Sequence, residues 1–187
     1  MVLRALRRLL GDAAVWRVYR WDAANAVSAP TTAASRRVAC RSIDAAEVAS
    51  LPDALLAEQA WYTGQGAHAF AGCLDDGRVV GLCFHWHGER YNLGRFWPLG
   101  VGAAMLMQIV TTPAARGRGV ARALIMHSAQ ALADAGMRTL WARVWLTNAA
   151  SSAAFIGAGW REVAWVIEIN PMRRPEPWRL RLRRPFA

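Results

Sequence analysis

Apolar and polar positions follow three rhythms along the chain. Over residues 2–10 the spacing is helical: Val2, Leu3, Leu6, Leu9 and Leu10 fall on one side and Arg4, Arg7 and Arg8 on the other. Such a helix can pack on its own domain or lie on an anionic membrane surface. Residues 15–21 alternate, which predicts a strand, and residues 25–35 are small and polar, which predicts a linker. The compact domain is therefore expected from residue 36, leaving 1–35 as an N-terminal helix and linker and 36–187 as the folded domain.

Within that domain, residues 37–43 read as a strand. Asp44, with Glu47 three residues on, reads as a capping box opening a helix, and Pro52 separates it from a second helix over 53–61. Apolar runs at 67–74 and 78–87 bracket Asp75-Asp76-Gly77, a hairpin signal. A loop carrying Gly94, Pro98, Gly100 and Gly102 follows, then a β-rich run at 105–112 expected to be buried on both faces. Val120, Leu124, Ala131 and Ala135 form the stripe of a helix that ends before Gly136. Residues 139–146 read as a strand, 148–158 as a short helix closed by Gly159, and 160–169 and 178–183 as two further strands. No internal repeat is present. Strands and helices mixed in this order predict one α/β or α+β domain.

Composition narrows the classes. A chain of 187 residues with 55% hydrophobic and 19% charged residues can bury a full core and is not a disordered polymer. No apolar run reaches the roughly 20 residues of a membrane helix. The net charge is +10, and every basic side chain is Arg. Together with the heavy use of Ala, this fits a GC-rich genome; it also leaves a polyanion open as ligand or neighbour. Cys40, Cys73 and Cys83 form no CxxC pair, and no histidine stands at metal-finger spacing. A sparse, odd cysteine count fits a reducing compartment. The N-terminus lacks the unbroken apolar stretch of a signal peptide. Together these predict a cytoplasmic protein without a metal.

The most informative stretch is Arg116-Gly117-Arg118-Gly119-Val120-Ala121, between a buried strand and a helix. Consecutive backbone N–H groups at a helix start make an anion cradle, and the helix dipole reinforces it. Glycines let the backbone approach a phosphate, and the arginines add charge-assisted bonds. The spacing is not that of a dinucleotide fingerprint and lacks the lysine of a P-loop.

Here the chain resembles the GCN5-related N-acetyltransferases (the GNAT family). Their pyrophosphate loop, Gln/Arg-x-x-Gly-x-Gly/Ala, is matched by Arg116, Gly119 and Ala121. A second element, Asn-x-x-Ser/Ala-x-x-x-Tyr-x-x-x-Gly-Phe, is matched by Asn148, Ser151, Phe155 and Gly159-Trp160. The resemblance implies a mixed, mostly antiparallel central sheet flanked by helices. It implies acetyl-CoA as co-substrate and direct attack of an amine on the thioester. Main-chain groups at Ile109, Val110 and Thr111 would pair with the pantetheine arm. Amides of Arg116, Gly117, Arg118, Gly119, Val120 and Ala121 would hold the pyrophosphate, and Asn148, Ser151 and Phe155 would border the arm. The acceptor would be a primary amine on a small molecule, an amino sugar being the first expectation, and a homodimer is open.

Two departures stand out. Phe155 replaces the family's frequent Tyr and cannot donate a proton to the leaving thiolate. No Asp or Glu occurs between Glu89 and Asp134, so the strand before the loop offers no carboxylate base; its closest polar group is Gln108. His85, His87 and Glu89 have equal parity and become the candidate bases. The structural alternative is that they decorate a strand end. Tyr62 is a further candidate to face the acceptor, and His127 reads as structural. Trp141, Arg143 and Trp145 share one face of a strand. Arg173, Arg174, Arg179, Arg181, Arg183 and Arg184 form a basic tail suited to an anionic acceptor or simply to solvent. The rival reading is a weakly catalytic or non-catalytic basic CoA-binding module that engages nucleic acid or an anionic membrane.

Overall fold

The computed structural model describes residues 12–25, 38–92, 96–171 and 176–183. The helix expected at 2–10 lies outside these residues, as does the linker expected at 25–35 except for Asn25, which ends a 3-10 turn over Ala23–Asn25. Eight strands form one sheet: β1 (Asp12–Asp22), β2 (Ala39–Ser42), β3 (Ala67–Cys73), β4 (Val79–Trp86), β5 (Ala103–Thr111), β6 (Thr139–Trp145), β7 (Arg161–Asn170) and β8 (Trp178–Arg183). Among the described residues five helices accompany them: α1 (Ala45–Ala49), α2 (Ala54–Ala57), α3 (Gly88–Asn92), α4 (Val120–Asp134) and α5 (Ala149–Gly157). The strand order is β2-β3-β4-β5-β6-β1-β7-β8. Every neighbouring pair is antiparallel except β5 and β6, which are parallel.

Several local signals act as read. The Glu47 amide donates to Asp44 Oδ1 at 2.8 Å, capping α1, but the Glu47 side chain pairs with Arg41 instead of closing the box. The predicted hairpin turns at Gly77, whose φ of 78° is the left-handed conformation that glycine adopts without strain. The second predicted helix is shorter: α2 passes into a 3-10 turn over Glu58–Tyr62. Residues expected to be only loop begin with α3.

The expected boundary at residue 36 does not divide the structure. β1 lies inside the sheet, with Trp16 opposite Trp145 on β6 and opposite Val166 on β7. Its Val18 and Tyr19 are fully buried on opposite faces. The strand from before the linker is thus part of the core of the domain after it.

α4 and α5 cover one face, where Leu124, Ile125 and Phe155 meet Tyr19, Phe70, Leu106 and Leu140. A Cβ at Gly81 would lie 2.8 Å from Val120 Cγ1 and 3.0 Å from the Val110 carbonyl. Glycine there lets the start of α4 settle directly on β4. The other face carries two apolar groups, one under α1 and α2 around Leu56, Leu82 and Phe84, and one around Trp86, Tyr91, Phe96, Trp97 and Met105.

Candidate active site

The site begins where two parallel strands part. β5 and β6 pair from Ala103 opposite Thr139 to Leu106 opposite Ala142, and no further. From Met107 onward the edge of β5 that faced β6 has no strand partner among the described residues, while its other edge stays paired to β4. β5 is accordingly buried over Ala103–Leu106 and only half-buried from 107 to 111, not buried on both faces throughout. Opposite β4 the register shifts: Phe84 faces Gln108 and His85 faces Leu106, leaving Met107 as the extra residue of a bulge. A bulge releases backbone groups from the ladder and re-aims them, here beside the cleft.

One end of the cleft is the glycine-rich loop. Gly117 and Gly119 have φ values of 73° and 79°, and Gly119 caps α4. In this conformation the amides of Gly117, Gly119, Val120 and Ala121 donate to no carbonyl among the described residues. They surround a cavity of about 330 Å³ with Ile109, Thr111, Arg116, Ser151 and Phe155. A cluster of free N–H donors at the start of a 15-residue helix, with an arginine beside it, is an anion-binding arrangement.

A second cavity of about 310 Å³ continues the cleft, sharing Ile109, Ser151 and Phe155 with the first. Its other walls are Trp16, Tyr62, Leu106, Met107, Gln108, Arg143, Val144, Trp145 and Asn148. Asn148 caps α5 by accepting the Ser151 amide at 3.0 Å. Gln108 donates to Gln59 at 3.2 Å. Of the loop and strand residues singled out in the sequence, Ile109, Thr111, Arg116, Gly117, Gly119, Val120, Ala121, Asn148, Ser151 and Phe155 line these two cavities. Val110 points instead towards the core under α1 and α2, and Arg118 lines a separate groove beside Pro113.

The expected bases are elsewhere. His85 is fully buried beneath α4, 3.0 Å from Ser128 Oγ, and burial pushes its pKa down to about 3. His87 lies past the end of β4 and stacks on His68, their centroids 5.1 Å apart. Glu89 is exposed on α3. None of the three lines the cleft. Equal parity does not bring them to it: α4 covers this side of β4 at His85, and β4 ends at Trp86, so the alternation does not extend to His87 or Glu89. Phe155 is buried and stacked on Tyr19 at 5.4 Å, which gives it a packing role at the junction of the cavities. Tyr62 does reach the cleft. Sequence reasoning did not place Trp16 there; its only signal was the alternation of residues 15–21.

Residues 37–159 match the model of the acetyltransferase (GNAT) family. No curated protein matches the sequence. Among solved structures, a Drosophila protein has a TM-score of 0.59 at 17% identity, with 91% of this chain and 56% of that chain covered. A GCN5-related N-acetyltransferase from Sphaerobacter thermophilus has a TM-score of 0.56 at 15% identity, covering 95% and 58%. AAC(6')-Iy, solved with the bisubstrate analogue CoA-S-monomethyl-acetylneamine, has a TM-score of 0.50 at 17% identity, covering 67% and 91%. At such identities the likeness is one of fold, and this chain spans little more than half the length of the first two. The family model covers most of the chain, including the loop and both strands of the cleft: the chain belongs to the GNAT acetyltransferase family.

Proposed function

We propose that the protein transfers an acetyl group from acetyl-CoA to a primary amine on a small molecule, an amino sugar being the first candidate. The observation that carries this reading is the continuous cleft: a bed of free amides at the start of α4 opens into the gap between β5 and β6. The loop amides and Arg116 would hold the pyrophosphate. The unpaired edge of β5 would receive the pantetheine arm as an added strand, with Asn148 and Ser151 beside it. The bulge at Met107 would turn a backbone N–H towards the oxyanion that forms at the thioester carbonyl. The protein's contribution is then mainly orientation and stabilisation of that charge.

Thermal unfolding with acetyl-CoA tests the donor site. A ligand at about 100 times its dissociation constant adds roughly 2.7 kcal/mol of stability. Wild type is expected to show a clear rise in melting temperature. Gly119→Glu, which places a carboxylate and a strained φ in the cradle, is expected to lose it. An absent shift in wild type would remove the donor reading and turn attention to salt-dependent nucleic-acid and lipid binding.

The proton balance follows from the cleft walls. The cavity beside β6 is lined by no His, Asp or Glu among the described residues. The acceptor amine must therefore arrive neutral, or lose its proton to water. Phe155 donates nothing to the departing thiolate, but a thiol with a pKa of about 8.5 leaves without help. The kcat/KM for the acceptor should rise about tenfold per pH unit up to the amine's own pKa. A plateau setting in near pH 6–7 instead would reveal an enzyme base.

A further inference from the structure

Arg143 stands at the apex of the cleft, on β6 one residue beyond Ala142, where pairing with β5 stops. It lines the second cavity and not the one around the glycine-rich loop. Its guanidinium carbon lies 4.8 Å from the Trp16 ring and 4.8 Å from the Phe96 ring, so two aromatic faces hold it in place. It donates no hydrogen bond to a side chain or carbonyl among the described residues.

The charges around it do not balance. Arg179 and Arg181 border the same aromatic group, reaching over Phe96 and Trp97. The nearby carboxylate is Glu168, and both its oxygens are engaged: Oε2 accepts from Trp16 Nε1 at 2.6 Å and Oε1 from Arg179 at 2.7 Å. Burial lowers the pKa of Arg143, and Glu168 offsets this only in part. Holding a partly desolvated cation without a hydrogen-bonding partner costs stability. An anion entering the cavity would recover that cost through the two parallel bonds a guanidinium makes to a carboxylate or phosphate.

We propose that Arg143 binds an anionic group, a carboxylate or a phosphate, on the amine that this cleft acetylates. The inference rests on the acetyltransferase reading above and narrows its acceptor. Trp16 and Tyr62 flank the body of such a molecule with apolar faces. The amine then points towards Ile109, Ser151 and Phe155, where the two cavities join. The phosphates of the donor lie at the other end of the cleft, on the loop, so one arginine serves the acceptor alone.

Two pairs of amines test this with acetyl-CoA present: 4-aminobutanoate against butylamine, and glucosamine 6-phosphate against glucosamine. The first pair probes a carboxylate and the second a phosphate, with rates expressed per neutral amine. Wild type should prefer the anionic member of at least one pair by about 10–100-fold in kcat/KM, the range of a charged hydrogen-bonded pair. Arg143→Gln should bring that ratio close to one while acetyl-CoA still raises the melting temperature. Arg143→Lys, which keeps the charge but not the fork, should retain part of the preference. Equal treatment of both members of each pair by wild type, in turnover and in thermal shift of the CoA-bound protein, overturns the assignment. So does an undiminished ratio in Arg143→Gln, which leaves Arg143 a clamp between Trp16 and Phe96. Either result leaves the acetyltransferase reading standing. A wild type that acetyl-CoA does not stabilise overturns both.

Discussion

A chain beginning at residue 36 is expected to lose its cooperative fold. The reason is the place of β1. It runs antiparallel to β6 on one side and β7 on the other, so its removal opens two ladders in the middle of the sheet. β7 and β8 would then be joined to the rest by no strand ladder, only by turns, the packing of α5, and contacts of Val166, Arg179 and Arg181 with the group around Phe96 and Trp97. The loss is also apolar. Val18 and Tyr19 have no exposed surface, and Tyr19 supports Phe155. Tyr19→Ala alone should cost about 3–5 kcal/mol, the range of large aromatic truncations in a core. Native domains have about 5–15 kcal/mol in total. Removing the strand entirely should therefore exceed what the fold can lose. Urea unfolding followed by far-UV circular dichroism checks both variants. A truncated chain that unfolds cooperatively at the wild-type midpoint would show that β1 is dispensable. Adding a peptide of residues 1–35 to the truncated chain should restore part of the signal, because the gap it fills is strand-shaped.

The contrast between the two halves of the cleft shows what a sequence carries. The glycine-rich loop was legible because its function is local. Free amides, positive φ at Gly117 and Gly119 and the following helix all lie within a few residues. The capping of α5 by Asn148 was legible for the same reason. The acceptor side was not. Trp16, Tyr62 and Arg143 come from three distant segments: β1 pairing with β6 joins Trp16 to Arg143, and Tyr62 arrives by packing on Phe84 and Trp86 of β4. Alternation over residues 15–21 announced a strand without its partners, and the polar stretch after it resembled a domain boundary. Parity likewise gave His85 a side of β4 without saying that α4 covers it. α3 escaped because residues 88–92 are too few to display a helical period.

Stability should fall as the pH drops from 7 towards 5, and His85 should account for much of the fall. Its Nε2 lies 3.0 Å from Ser128 Oγ, and the Ser128 hydroxyl can donate to the Ile125 carbonyl at 3.3 Å. Its Nδ1 is buried with no partner. A neutral ring tolerates this when Nδ1 carries only a lone pair. An imidazolium would need a second acceptor that this site lacks, which, with burial, holds the pKa at about 3. The unfolded chain protonates the same residue at about pH 6.5. Below that pH the unfolded state binds a proton that the folded state refuses, so stability is full above 6.5 and is lost as pH falls towards 3. The slope in that window approaches about 1.4 kcal/mol per pH unit, or about 2 kcal/mol by pH 5. Burial also lowers the pKa of His68 and His127, and both add in the same direction. Glu47 and Asp76, whose pKa values are lowered mainly by hydrogen bonds to Arg41 and to the Arg78 amide, contribute only at more acid pH. Urea unfolding between pH 7.5 and 5.0 should therefore give a steep profile for wild type. His85→Leu removes one proton from the linkage and should flatten it by close to one proton's slope, whatever its stability at neutral pH. Profiles that stay parallel would mean that His85 takes up a proton within the native fold, and an imidazole resonance titrating near pH 6 would identify that proton directly.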